Sequence, residues 1–144
     1  MSRALILLAH GSRDPAWSRP LHELAARIAA QDAQLAVRIA YLEIQAPHLS
    51  AVIDELSAQA EDISVLPVLW AAGGHVARDL PRLLDEARDR HPALRMHRLP
   101  PLAELPGMLD FVAAQAVVLA ALPDQFDQFD QPATRRTAIA TSIP

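Results

Sequence analysis

Short apolar runs alternate with amphipathic stretches along most of this chain. The run RALILLA at residues 3–9 is almost wholly apolar, which is typical of a strand buried on both faces of a parallel sheet. Similar runs recur along the sequence and predict four strands, over residues 3–9, 34–42, 63–70 and 94–99. Pro67 lies inside the third run and cannot donate to a strand ladder, so we expect it near the end of that strand or beside a bulge.

Apolar residues at helical spacing fill the intervals between these strands. Leu21, Leu24 and Ile28 recur three or four residues apart, as on one face of an amphipathic helix. The same spacing predicts four helices: residues 17–30, a helix opening at Pro47, residues 79–90 with Asp79 as N-cap, and residues 104–122.

The alternation of strands and helices favours an α/β fold. We predict a flavodoxin-like, doubly wound parallel sheet of four strands in the order 2-1-3-4. The first helix is expected on one face of the sheet and the next two on the other. The length of 144 residues fits one domain, over residues 1–122, followed by a polar tail over residues 123–144. That tail contains the repetitive stretch DQFDQFDQ and is expected to be flexible.

Composition removes several classes of function. The chain has no cysteine and no lysine, which excludes thiolate metal sites, cysteine nucleophiles, Schiff-base chemistry and a P-loop lysine. Its formal net charge of −4 and its 4% aromatic content disfavour binding to nucleic acid or to an anionic membrane. No apolar run approaches the roughly 20 residues of a membrane span. These features predict a cytoplasmic protein.

Three residues with metal-binding side chains follow three predicted strands. His10 follows the first strand, Glu43 ends the second, and His75 lies in the loop after the third. In the order 2-1-3 these strands are neighbours, about 4.8 Å apart, and parallel strands present their carboxyl ends at one edge of the sheet. Two imidazoles and a carboxylate suit Co²⁺, Fe²⁺, Ni²⁺ or Zn²⁺ and leave positions open for a reacting partner. The sequence therefore predicts a divalent metal site at this edge.

Residues around these three predict contacts to a second, anionic ligand. Glycine at positions 73 and 74 removes side chains where a flat ligand would press on the backbone, and arginine binds carboxylates through a planar fork. The candidate ligand-binding residues are Ser12, Arg13, Gly73, Gly74 and Arg78. Other interpretations stay open, because a lone histidine after a strand is usually an ordinary loop residue. Arg13 and Arg78 are also placed to pair with the acidic residues that follow them, Asp14 and Asp79.

Three blocks of the sequence together resemble the small CbiX-type class II chelatases, the sirohydrochlorin cobaltochelatases and their ferrochelatase relatives. The blocks are AHGSRDP at 9–15, YLE at 41–43 with Pro47 close behind, and PVLWAAGGHVARDLP at 67–81. The resemblance spans about residues 3–120 in the same order. It implies that His10 and His75 bind metal with Glu43 as acidic partner, and that the chain forms a homodimer. Residues 46–48 and the tail depart from the family pattern.

The activity that this resemblance implies is insertion of a divalent metal into sirohydrochlorin. Co²⁺ is the favoured substrate metal, with Fe²⁺ or Ni²⁺ as alternatives, in cobalamin or siroheme biosynthesis and without an organic cofactor. In that reaction the histidines hold the incoming ion, and an imidazole with Glu43 takes up a proton from the tetrapyrrole. Two competing hypotheses are a non-catalytic metal carrier that uses the same ligands and a flavodoxin-like binding module without metal.

Overall fold

The computed structural model describes residues 2–122, which fold into strands alternating with helices. The elements in chain order are β1 (Arg3–Ala9), a 3-10 helix (Pro15–Ser18), α1 (Arg19–Gln31), β2 (Leu35–Tyr41), α2 (Leu49–Leu56), β3 (Asp62–Pro67), α3 (Gly74–Arg90), β4 (Arg95–Arg98), a second 3-10 helix (Leu102–Glu104) and α4 (Met108–Ala120). The chain divides into one unit that ends at Leu105 and another that begins at Pro106.

The four strands form a single parallel sheet in the order β2-β1-β3-β4. The central strand β1 pairs along its whole length with β2, from Arg3 opposite Leu35 to Ala9 opposite Tyr41. Its register with β3 runs from Arg3 opposite Asp62 to Leu8 opposite Pro67. The predicted fold class and strand order are confirmed. The carboxyl ends of β2, β1 and β3 lie side by side, as the predicted site requires.

Two hydrophobic clusters cover the two faces of the sheet. The larger one packs α2 and α3 against alternate residues of β1 and β3, including Ile6, Leu8, Ile63 and Val65, all with an exposed fraction of 0%. On the opposite face, α1 packs against Leu5 and Leu7 of β1. The strand that contributes to both clusters is therefore buried on both faces, because helices lie above and below it. The prediction of one helix on one face and two on the other is confirmed.

Several element boundaries in the structure differ from the predicted ones by a few residues, and the start of one helix differs by more than a helical turn. Pro67 is the last residue of β3, so its missing N–H interrupts no ladder and no bulge is needed. Pro47 lies two residues before α2, whose N-cap is His48. The prediction that α3 begins at Asp79 is wrong: α3 begins at Gly74, with Gly73 as N-cap, and Asp79 lies inside the helix.

The second unit contributes α4, whose sequence MLDFVAAQAVVLA is apolar around most of its circumference. None of its residues is buried, and Phe111 and Val117 have exposed fractions of 61% and 74%. A helix that is apolar all round is usually covered in the functional state of a protein. Among residues 2–122, no helix is long and apolar enough to cross a membrane.

Candidate active site

The loops after β1 and β2 extend the strand ladder beyond the sheet. The backbone N–H of Leu42 donates to the carbonyl of Ala9 at 2.9 Å, and that of Glu43 donates to the carbonyl of His10 at 3.0 Å. Two further backbone hydrogen bonds therefore join the two chain segments beyond the ends of the regular strands. They fix His10 and Glu43 on adjacent backbones at the carboxyl edge of the sheet.

Gly11 makes this close approach of the two loops sterically possible. Its φ of 102° lies in the region that favours glycine, and a Cβ atom at this position would come within 2.1 Å of the Glu43 carbonyl oxygen. The N–H of Ser12 then donates to Oε1 of Gln45 at 2.7 Å, which ties the loop after β1 to the loop after β2 a second time. The glycine after His10 thus sets the backbone position of Glu43.

The turn that follows Glu43 is strained. Ile44 has a φ of 67°, which is unusual for a β-branched residue, and the N–H of Gln45 donates to the Glu43 carbonyl at 2.6 Å across it. The Ile44 side chain is 63% exposed. Conformations of this kind persist where the surrounding contacts impose them, and they concentrate at functional sites.

His75 reaches the same edge from α3, of which it is the second residue. The chain leaves β3 with the N–H of Val68 donating to the carbonyl of Leu8 at 2.7 Å, and it enters α3 through Gly73. Val76 and Leu80 anchor the first turns of α3 in the larger cluster. The imidazole of His75 is therefore carried by a helix end that is fixed to the core.

The three predicted metal ligands line one cavity of about 160 Å³. The residues around this cavity are His10, Leu42, Glu43, His75, Val76, Asp79, Arg82 and Leu83. His10, Glu43 and His75 are exposed, so their side chains can change rotamer without repacking the core. Within residues 2–122, no group of three or more His, Asp or Glu side chains is arranged so that it could hold a metal ion. The structure thus gathers the predicted ligands around a common space, and their role as a metal site stays a prediction.

The candidate residues for a second ligand are placed around this edge and do not line that cavity. Arg13 and Arg78 are exposed, and in the part of the chain that the structure describes neither forms an ion pair. The alternative in which they pair with Asp14 and Asp79 is therefore wrong. Asp14 instead accepts a hydrogen bond from the N–H of Ala16 at 2.9 Å, which caps the first 3-10 helix.

Ser12, Gly73 and Gly74 also lie on this edge. The Oγ atom of Ser12 accepts from the N–H of Asp14 at 3.1 Å, which leaves its own hydroxyl hydrogen available as a donor. A Cβ atom at Gly73 or Gly74 would meet no atom within 4 Å among the described residues. The backbone at both glycines therefore borders open space, where a flat ligand has room to lie.

Two charged residues of the cavity, Asp79 and Arg82, were not among the site residues predicted from the sequence. They follow His75 by four and seven residues on α3, which places all three on one face of the helix. The spacing is visible in the sequence. It indicates a shared helix face only if the helix begins at Gly74 and so includes His75.

The fold and the cavity define a doubly wound α/β domain with a histidine- and carboxylate-lined site beyond the carboxyl ends of its strands. The CbiX family model matches residues 4–117, and the chain belongs to this family.

Curated relatives agree with this assignment. The sirohydrochlorin cobaltochelatase of Methanocaldococcus jannaschii is 36% identical over 89 residues, which is 61% of this chain and 62% of that protein. The enzyme of the same name from Priestia megaterium is 30% identical over 92 residues, covering 62% of this chain and 29% of that protein. The matched region is therefore less than two thirds of the length of either relative.

Solved structures share the fold. The CbiX protein from Marinobacter aquaeolei VT8 has a TM-score of 0.69 and 28% identity, over 85% of this chain and 98% of that one. The sirohydrochlorin chelatase SirB from Bacillus subtilis subspecies spizizenii, solved in complex with cobalt, has a TM-score of 0.70 at 22% identity. That match covers 83% of this chain and 52% of SirB, so this chain corresponds to about half of that protein.

Proposed function

We propose that this protein is a metal chelatase that inserts a divalent ion into a sirohydrochlorin-type tetrapyrrole. One observation carries the proposal: in a CbiX-family chain, His10, Glu43 and His75 line a single cavity at the carboxyl edge of the sheet. The relatives named sirohydrochlorin cobaltochelatase support Co²⁺ as the preferred ion, with Fe²⁺ and Ni²⁺ as alternatives that the same ligand types accept. The reaction belongs in the cytoplasm, in cobalamin or siroheme biosynthesis.

Capture of the ion is the first step that the cavity supports. Neutral imidazoles of His10 and His75 and the carboxylate of Glu43 are suitable ligands, and three protein ligands leave room for the tetrapyrrole nitrogens. The exposed side chains converge on the ion by rotation about their χ angles, while the ladder between the loops holds their backbones in place. Because cysteine is absent from the chain, no thiolate retains the ion against transfer.

Transfer of the ion requires proton acceptors. A divalent ion that enters the ring replaces two N–H protons, so each turnover releases two protons from the tetrapyrrole. As the ion passes to the ring nitrogens, the vacated imidazole nitrogen of one histidine takes one of these protons, and the second proton passes to the other vacated imidazole or to solvent water. Glu43 orients that imidazole or shares the proton.

The substrate is rich in carboxylates and is held by arginines at the rim. Arg13 and Arg78 make no ion pair within residues 2–122, so their guanidinium groups are available for bidentate binding of carboxylates. Ser12 donates its hydroxyl hydrogen, and Gly73 and Gly74 leave space for the plane of the ring.

We further propose that the chain works as a homodimer. Two SirB structures of the same fold contain about twice this length, since the match covers 52% of one SirB chain and 49% of the other, whereas it covers 98% of the CbiX protein from Marinobacter aquaeolei VT8. Two copies of this chain would supply the second half. The exposed apolar side chains of α4 are suited to a surface that a second copy covers.

The test is metal insertion by the purified full chain supplied with sirohydrochlorin and Co²⁺, followed through the visible spectrum of the tetrapyrrole. His10→Ala and His75→Ala are each expected to lower kcat/KM for Co²⁺ by more than about tenfold, because each removes a ligand. The matched control is His22→Ala, which removes an exposed histidine of α1 outside this cavity and should leave the rate unchanged.

Wild-type turnover in both histidine variants would overturn the assignment. Co²⁺ binding without any spectral change of sirohydrochlorin would indicate the carrier function instead. Parallel reactions with Co²⁺, Fe²⁺ and Ni²⁺ identify the preferred metal.

A further inference from the structure

Asp79 occupies a position in the cavity that the proposed reaction has not yet used. It lies on α3 one turn after His75, and both residues line the same cavity as His10 and Glu43. Side chains four residues apart on a helix are neighbours, with Cβ atoms about 5–6 Å apart. The Asp79 carboxylate is therefore within reach of the His75 imidazole after a rotamer change.

The carboxylate of Asp79 has no partner among residues 2–122, although the residue is only partly exposed. Aspartate is seldom withdrawn from water without a partner, because its charge then loses hydration. Arg82, the cation on the same wall of the cavity, donates to the carboxylate of Glu86 and is engaged there. No hydrogen bond or ion pair joins Arg82 to Asp79 within residues 2–122, and His75, one turn earlier on the same helix, has a ring nitrogen that can donate to the Asp79 carboxylate.

We infer that Asp79 is a positioning residue for His75 during metal capture, an inference that rests on the proposed function. When one imidazole nitrogen binds the ion, the other carries a hydrogen, and an Asp79 oxygen accepts the hydrogen bond from it. Such a bond fixes the tautomer and the ring orientation of a ligating histidine and makes it a better ligand. Asp79 itself touches neither the ion nor the tetrapyrrole.

The experiment measures Co²⁺ binding to the full chain by calorimetric titration with the metal alone, and then metal insertion with sirohydrochlorin. Asp79→Ala is expected to weaken Co²⁺ binding and to raise KM for Co²⁺ by about 10–100-fold, the usual cost of losing such a partner. KM for sirohydrochlorin should change less than twofold. Asp79→Glu should recover part of the loss, because it keeps the accepting carboxylate.

A matched control and a double variant separate positioning from a structural role. Asp89→Ala removes an exposed carboxylate from the same helix, where Asp89 has no partner in the described part of the chain, and should change neither constant. In the His75→Ala background, Asp79→Ala should cost nothing more, since two residues that act as a unit are not additive. A merely structural role would give additive losses.

Three results would overturn the inference: unchanged Co²⁺ affinity in Asp79→Ala, additive losses in the double variant, or an equal rise in KM for sirohydrochlorin. Absence of Co²⁺ binding to the wild-type chain would overturn it as well. If wild type binds Co²⁺ but does not metallate sirohydrochlorin, the proposed function fails while the binding arm still decides the role of Asp79.

Discussion

Gly11 is the residue on which the backbone of the site depends most directly. Its neighbours on either side, His10 and Ser12, are both tied to the loop after β2 by backbone N–H or carbonyl groups. With 2.1 Å between a Cβ atom and the Glu43 carbonyl oxygen, any side chain at this position would push the two loops apart. A substitution of Gly11 would therefore affect both the stability of the fold and the position of Glu43.

Gly11→Ala should therefore lower the free energy of unfolding by more than about 1–3 kcal/mol, the cost of backbone strain alone. Guanidinium chloride unfolding followed by circular dichroism measures the loss. Gly74→Ala is the matched control, because Gly74 also has a positive φ, 54°, but a Cβ atom there would meet nothing within 4 Å. Equal losses in the two variants would show that the contact with Glu43 is unimportant.

The residues predicted from the sequence and those missed differ in how their position is determined. His10 follows a continuous apolar run and Glu43 a run interrupted only by Arg38, and the carboxyl ends of neighbouring parallel strands leave little freedom in where such residues lie. Asp79 and Arg82 depend on where a helix begins. Pro81 indicated a start at Asp79, since proline is common in a first helical turn.

At the scale of elements, α3 shows why Pro81 indicated the wrong helix start. Pro81 lies in the interior of α3, where it removes one backbone hydrogen bond. The helix continues through it because Val76 and Leu80, four residues apart, are both buried against the sheet, together with Leu84 further along. Burial of this apolar stripe outweighs the local cost of proline, and the first turn places His75 at the cavity. The helix propensities of the residues do not include this stabilisation by packing against the sheet.

A small cluster of charged side chains joins the C-terminal ends of α2 and α3. Asp54 of α2 accepts hydrogen bonds from Nε2 of His91 at 2.6 Å and from Nη2 of Arg90 at 3.2 Å. The hydrogen bond from His91 holds the pKa of the Asp54 carboxyl below its ordinary value of 3.8, and Arg90 acts in the same direction. The helix predicted over residues 79–90 places His91 just past a helix end, but its partner Asp54 on α2 is a tertiary contact.

Asp54→Asn should lower the free energy of unfolding at pH 6 by roughly 0.2–1 kcal/mol, as expected for an exposed ion pair. Because the pKa is depressed in the folded state, this stabilisation is present above pH 3.8 and disappears as the pH falls through the folded-state value. Denaturant unfolding of wild type and variant at pH 6 and pH 3 measures the difference.

Asp89→Asn, which removes a carboxylate without partners in the described region, should show no such pH dependence. A difference between wild type and Asp54→Asn that persists unchanged at pH 3 would contradict the assignment of the ionised carboxylate.

At the scale of the whole molecule, the order of strands and the two-faced core follow from the pattern of apolar runs. A right-handed crossover between parallel strands leaves few arrangements for four strands with intervening helices, and the order β2-β1-β3-β4 is one of them. No comparable rule predicts what packs against α4. Its side chains are apolar around most of the helix, so the sequence indicates burial without indicating a partner.

The proposed homodimer makes a prediction about α4. The double variant Phe111→Glu/Val118→Glu places two charges seven residues apart on one face of the helix and should dissociate the dimer, because burying the charges would be costly. Sedimentation equilibrium should give twice the mass of the chain for wild type and the mass of a single chain for the variant.

Ala113→Glu/Ala120→Glu is the matched control, since it also places two charges seven residues apart on α4 but on the opposite face of the helix. A wild-type protein that sediments as a single chain would contradict the dimer.

The chain carries two tryptophans, and both lie near the edge where the candidate site is found. Trp17, in the 3-10 helix after β1, is 45% exposed, and Trp70, just past β3, is 53% exposed. Indole emission is absorbed by a coloured macrocycle that comes close to it. The intrinsic fluorescence of the unlabelled protein would therefore dim as a tetrapyrrole docks at this edge, and a stopped-flow trace of that quenching would time docking separately from the later colour change of metallation.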